Sequence, residues 1–297
     1  MGKNRDSIPP DPYATPIQLK VKEKDKFKNI RAINSNISNL YKTIGATLVP
    51  DFKTNVVIDN SCYHNDIVIC TQNIARQIAK SFGLHIVNVV VTFVQNLGVP
   101  GRVQLSAGNT FSVEVDRRYI SNTNLISAVL AHEIAHIYLF KHNIRIQDTF
   151  QNEVLTDTTA AFLGCAWLIL NSSHEERSFQ NSQTTVKWFG YITQYEVGYI
   201  LAKRDFLLKQ NSADAMIFGR SREFFDAGKA HFLKSLGRPY VKRSALGSLI
   251  YQLKSRLIKG SIVFKCICCE QQLRIPESNK TLSVHCPACG NDLLCYS

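Results

Sequence analysis

Apolar and polar positions divide the chain into a succession of short elements. In TQNIARQIAKSFG (71–83) the apolar side chains recur at helical spacing and Gly83 supplies a stop, which predicts an amphipathic helix. HIVNVVVTFV (85–94) is short and β-branched, the pattern of a buried strand. Turn residues in NLGVPGR lead to a second strand and SAGN to a third. In that third strand, 110–116, Phe111, Val113 and Val115 alternate with Ser112, Glu114 and Asp116 as on a half-exposed strand. A helix is expected from about 123 to 141, with Ser121, Asn122 and Thr123 as N-cap candidates and His142-Asn143 as its stop. Asp148 and Gln151 are spaced as a capping pair for the next helix, about 149–170. Further helices are expected at 26–45, 193–209, 213–235 and 244–258. The order of elements predicts an α+β fold.

Composition narrows the classes. The chain has 297 residues and is 45% hydrophobic, enough for a sizeable core and against a mostly disordered protein. The longest apolar run, AAFLGCAWLIL (160–170), falls short of the roughly 18 residues a membrane span needs, so no membrane partner is expected. Prolines 9, 10, 12 and 16 make the first twenty residues an arm, and no apolar signal region precedes them, which points to a cytoplasmic protein. Of nine cysteines, four form two C-x-x-C pairs, which suits metal binding in a reducing compartment.

The net charge of +12 is unevenly spread. Residues 32–226 balance sixteen Lys/Arg against sixteen acids, whereas 227–265 hold nine Lys/Arg and no acid. Such a block is either a solvated face or the footprint of polyanion binding. Lys229, Lys234, Arg238, Lys242, Arg243, Lys254, Arg256 and Lys259 are its candidate nucleic-acid contacts, with Phe232, Tyr240 and Tyr251 among them as stacking surfaces.

The chemistry concentrates in two helices. AHEIAHIYLF (131–140) puts His132 and His136 four apart, on one helical face, where two imidazole nitrogens can share a zinc ion. Glu133 beside them is placed to take a proton from water on that metal and pass it to a leaving amine. The alternative is a core helix whose histidines are satisfied by backbone carbonyls. In NEVLTDTTAAFLGCAWLIL (152–170), Glu153 and Asp157 again lie four apart, in a helix too apolar to be a solvated surface. Glu153 would complete a two-His-one-Glu ligand set, and Asp157 would accept the other ring N–H of His132.

This arrangement resembles the gluzincin metallopeptidases, and the strand–strand–strand–helix order before it resembles the smaller ImmA/IrrE-like peptidases, which cleave transcriptional repressors in bacteria. Where that group continues with Ala and Phe, Asp157 follows here in the gluzincin manner. LTDTTAAFLG (155–164) and GYITQYEVGYILAKRD (190–205) are similar to a group of bacterial proteins with the same motif order. The resemblance covers about residues 70–205. It implies a zinc-dependent endopeptidase with a zincin-like core and an edge strand, 110–116, that binds substrate backbone by strand addition. It further implies a protein substrate such as a DNA-binding repressor, with single-stranded nucleic acid as an activator.

Catalysis of this kind needs an oxyanion donor. His174, Tyr191 and Tyr195 follow the second helix and are candidates, beside the plainer reading of packing and surface residues. Cys62 is a candidate thiolate for the open coordination position, holding the enzyme latent. At the C-terminus, Cys266-x-x-Cys269 and Cys286-x-x-Cys289 have the spacing of a closed four-cysteine site, a zinc ribbon. The expected organisation is a basic arm and helix (1–50), a zincin-like core (51–227), a basic helical segment (228–262) and the ribbon (263–297), with one catalytic and one structural Zn2+.

Overall fold

The computed structural model describes residues 25–44, 55, 56, 58, 66–177, 184–208, 216–236, 239–240, 250–251, 255–258, 261–267, 269–276, 282–288 and 292–295. Its centre is helix α3 (Thr123–Lys141), in which fourteen of nineteen residues are buried. A helix apolar on nearly all sides must be enclosed, and α3 is. Asn122 caps it by accepting a hydrogen bond from the Leu125 N–H (3.1 Å), and His142 closes it.

Helices α1 (Ile30–Ile44) and α2 (Ile67–Ser81) precede a three-stranded sheet of β1 (Asn88–Val94), β2 (Gly101–Gln104) and β3 (Thr110–Asp116). α3 packs against α2, β2 and β3 on one side and against α4 (Thr149–Ala160) and α5 (Ala166–Asn171) on the other. The strand order is β1-β3-β2, with β1 parallel and β2 antiparallel to β3. This corrects the expectation that 110–116 is an edge. Phe111, Val113 and Val115 are fully buried, and only a central strand pairs on both sides. The two true edges are unequal. On β1 the Gln72 carboxamide donates to the Val89 carbonyl and accepts from the Val91 N–H (3.0 Å), sealing that edge. Among the described residues, β2 pairs with no strand beyond β3.

α4 and α5 are joined through a widened turn, Ala161–Cys165, where Gly164 has φ +112°. The carbonyls it loosens are recaptured: Phe162 O accepts from the fully buried Arg204 Nε (3.0 Å) and Gly164 O from the Val56 N–H (3.3 Å). Burial pushes the Cys165 thiol pKa up, as for an inert core residue. Thr149–Asn171 is long and apolar enough to cross a membrane, yet its apolar window is 94% buried within the protein, where a core helix belongs.

The hairpin of β4 (His174–Arg177) and β5 (Thr184–Lys187) leads to α6 (Gln194–Leu208), which packs on α5 and α7 (Arg220–Leu236). Thr193 and Glu196 cap α6 reciprocally: Glu196 N–H donates to Thr193 Oγ1 (3.2 Å), and Thr193 N–H to Glu196 Oε2 (2.8 Å). The same pair holds the N-terminal segment, because Thr193 Oγ1 donates to the Lys26 carbonyl (2.6 Å) and Glu196 Oε1 accepts from the Asn29 N–H (2.5 Å).

Beyond α7 the described residues form strands and their turns. β6 (Pro239–Tyr240) pairs with β7 (Ile250–Tyr251), β8 (Ser255–Ile258) with β9 (Ser261–Lys265), and β9 with β10 (Gln272–Pro276). β11 (Leu282–His285) pairs with β12 (Asp292–Cys295). At the described residues 250–251 and 255–258 strands stand where a helix was expected over 244–258, and 239–240 likewise departs from the helical segment expected over 228–262; the rest of 244–258 lies outside the described residues. Ser255–Ile258 finds an adjacent strand of β-branched residues, and ladder pairing overrides a weak helical spacing. Ile267 and Leu207 pack between this region and the main core.

Because Thr193 serves both α6 and the N-terminal segment, Thr193→Ala is expected to cost about 1–2 kcal/mol. Urea unfolding of the two proteins measures it, and equal midpoints would contradict the cap's role.

Candidate metal centre

Helices α3 and α4 bring three ionisable side chains to one point. His132 Nε2 and His136 Nε2 lie 3.1 Å apart, and Glu153 Oε2 is 3.1 Å from the first and 3.3 Å from the second. Ligand atoms at about 2.0–2.1 Å from one tetrahedral ion lie roughly 3.3–3.4 Å apart. The three edges fit one face of such a tetrahedron, and the remaining vertex is left for another ligand. His132 and Glu153 are buried and His136 half-buried.

Each ring is oriented from behind. His132 Nδ1 is 2.8 Å from Asp157 Oδ1, and a carboxylate only accepts, so the ring proton sits on Nδ1 and Nε2 faces the cluster. His136 Nδ1 is 3.3 Å from Thr156 Oγ1, whose own proton goes to the Asn152 carbonyl (2.9 Å). The hydroxyl oxygen therefore accepts from His136. Thr156 escaped sequence reasoning, although its place three residues after Glu153, on the same helical face, was the available signal.

Electrostatics ties the set together. Burial pulls the His132 pKa down, but hydrogen bonds to Asp157 and Glu153 and the charge of Asp157 outweigh it and leave it well above the ordinary value. Burial pushes Glu153 up, yet both imidazoles together hold its carboxyl far below the usual range. Glu133 is raised: burial and the nearby Glu153 charge exceed the lowering by His132, His136 and a backbone hydrogen bond from Val103.

Glu133 faces β2. A Cβ on Gly101 would clash with Val129 Cγ1 and lie 2.9 Å from Glu133 Oε1, so only glycine lets the strand approach the carboxylate this closely. A cleft of about 400 Å³, counted to its open mouth, lies between Pro100 and Gly101 on one side and Phe189 and Gly190 on the other. Val129 and Ile169 line it, and Glu133, His132 and Asp157 border it.

The other expected site residues divide. The Tyr191 ring stacks near His132 (centroids 6.5 Å, 20° between planes) and meets Phe150 edge-on at 5.9 Å. Tyr195 is not at the site; it packs against Phe27 and Phe224, with Lys26 over its ring. His174 lies on β4, and its side chain is outside the described residues. Cys62, Cys289, Arg238, Lys242, Arg243, Lys254 and Lys259 also lie outside them, as does the side chain of Arg256. Lys229 and Lys234 are exposed on α7, but Phe232 between them is buried against Tyr199 and Phe206 and offers no stacking surface.

A second cluster joins Cys266, Cys269 and Cys286, all buried, with Cys269 Sγ and Cys286 Sγ 3.6 Å apart. The first knuckle is a tight turn in which Glu270 N–H donates to the Cys266 carbonyl (2.9 Å) and Glu270 adopts φ +55°. Among the described residues there are thus two candidate metal-binding groups, one of mixed imidazole and carboxylate, one of thiols. No family model, curated protein or solved structure matches the chain.

Since the metal-free His132 pKa stands above its ordinary 6.5, a divalent metal must displace a ring proton to bind. Affinity at the His132 cluster is expected to rise with pH through neutrality, with proton uptake by the buffer. Titration calorimetry in two buffers of different ionisation enthalpy reads this directly; identical heats in both would contradict it.

Proposed function

We propose that the chain is a zinc-dependent endopeptidase of the gluzincin kind, with a zincin-like core and a C-terminal zinc ribbon of structural role. The observation that carries the reading is the position of Glu133. It stands beside the tetrahedral ligand face and against β2, the sheet edge left open among the described residues. A core helix with satisfied histidines has no use for a third buried acid there.

His132, His136 and Glu153 are the residues suited to hold the ion. Zinc bound by such a set supplies Lewis acidity, polarising the scissile carbonyl and lowering the pKa of water. The chain's own groups do the rest. An extended peptide pairs with β2 and lays a side chain into the cleft between Gly101 and Phe189. Glu133 takes a proton from water as the water oxygen bonds to the carbonyl carbon. When the C–N bond breaks, Glu133 returns that proton to the departing amine nitrogen. Asp157 and Thr156 hold the two imidazoles in the tautomers this geometry needs. Tyr191, beside His132, is the nearer of the aromatic candidates for steadying the oxyanion.

A folded protein presents few extended segments, so the substrate class is an unstructured or locally unfolded stretch of polypeptide. Quenched-fluorescence peptides of varied sequence, incubated with the zinc-loaded chain, test this. Cleavage is expected in the wild type and at least about 100-fold less in Glu133→Gln, with zinc content unchanged. Equal cleavage by both proteins, or none by a wild type carrying its full zinc, would overturn the reading.

A further inference from the structure

The turn before α6 grips the back of the candidate metal centre. Asp157 Oδ2, the carboxylate oxygen turned away from His132, accepts two consecutive backbone N–H groups, from Tyr191 (2.5 Å) and Ile192 (3.2 Å). Two successive amides can converge on one oxygen because Gly190 stands at φ +105°, a conformation that residues with a side chain rarely adopt. The approach is also close. A Cβ on Gly190 would lie 2.7 Å from Asp157 Oδ2, too close for the carboxylate to keep its place, and 3.1 Å from Asp157 Cγ.

The turn is itself held at both ends. Phe189 meets Tyr119 edge-on, with ring centroids 5.2 Å apart. Thr193 is tied to the Lys26 carbonyl and to Glu196. Its position is thus set by the N-terminal segment, α6 and the short turn Arg117–Tyr119 after β3, none of which carries a metal ligand. Asp157 takes its place from this frame and passes it to His132 through the 2.8 Å contact at Nδ1.

We propose that Gly190 is a positioning residue: the Gly190–Ile192 turn sets the Asp157 carboxylate, and through it the His132 ring, for metal binding. This rests on the reading of His132, His136 and Glu153 as a zinc site. It goes further in assigning a role to a loop 33 residues past Asp157 in the chain. A side chain at 190 would push the carboxylate off its two donors and turn the His132 ring away from the shared point. The loss falls on metal affinity, because ring orientation decides where Nε2 aims.

A double-mutant cycle on the full chain tests it, using zinc dissociation constants measured by competition with a chromophoric chelator. Melting temperatures in excess chelator report folding separately. Gly190→Ala and Asp157→Ala are each expected to weaken the His132-dependent zinc by about 10- to 100-fold. The double variant should bind no more weakly than Asp157→Ala alone, since the carboxylate that the new methyl group displaces is gone. Losses that multiply, or Gly190→Ala binding zinc like the wild type, would overturn the assignment. If Gly190→Ala does not fold alone, folding regained in the Asp157→Ala background supports it. A double variant that also fails to fold overturns it, because glycine would then be protecting the backbone only. A wild type with no His132-dependent zinc removes the metal reading itself, and this inference with it.

Discussion

Burying carboxylates is costly unless each gains a partner, and α3 and α4 bury three of them within a single site. Glu133, Glu153 and Asp157 are each at most 8% exposed, as is His132. The solution is a closed set of contacts in which Glu153 bridges two imidazoles and Asp157 backs one of them. The remaining fold serves that arrangement. α3 has to be surrounded, so a sheet and α2 cover one flank and α4 and α5 the other. Removing one member of such a set leaves the others buried and unmatched, which is why its parts are interdependent in energy as well as in geometry.

Support for the site arrives from distant parts of the chain. The N-terminal segment fastens Thr193 and Glu196, these cap α6, and the turn just before α6 supplies the two amides on Asp157. On the opposite side Gly101 lets β2 press against Glu133. Glycines at 101 and 190 thus admit backbone to the two sides of the same cluster. One edge of the sheet is sealed by Gln72, while among the described residues no strand pairs with the outer side of β2. Under the proposed peptidase reading one open edge would receive extended polypeptide, and a second would be an aggregation risk.

The candidate ligand set was legible in the sequence because it depends on local periodicity. Residues four apart on a helix share a face whatever surrounds them, so the pairs His132/His136 and Glu153/Asp157 follow from spacing, and the contact of Asp157 with His132 from chemistry. Strand order was not legible, since pairing is decided by residues far apart: the resemblance implied an edge strand at 110–116, which sits in the middle. The stretch 244–258 misled for a related reason, because the strand beside Ser255–Ile258 outweighs local spacing. Tyr195 packs against Phe224 of α7 and Phe27 of the N-terminal segment, which no count from His136 could reveal. Gly190 was invisible as well, its meaning residing in a carboxylate brought to it by the fold.

If His132, His136 and Glu153 form a metal site distinct from the cysteine cluster, native mass spectrometry of the zinc-loaded wild type should show two zinc ions per chain, falling to one in His132→Ala. The same number in both proteins would contradict it, leaving α3 a core helix whose histidines and acids only satisfy one another.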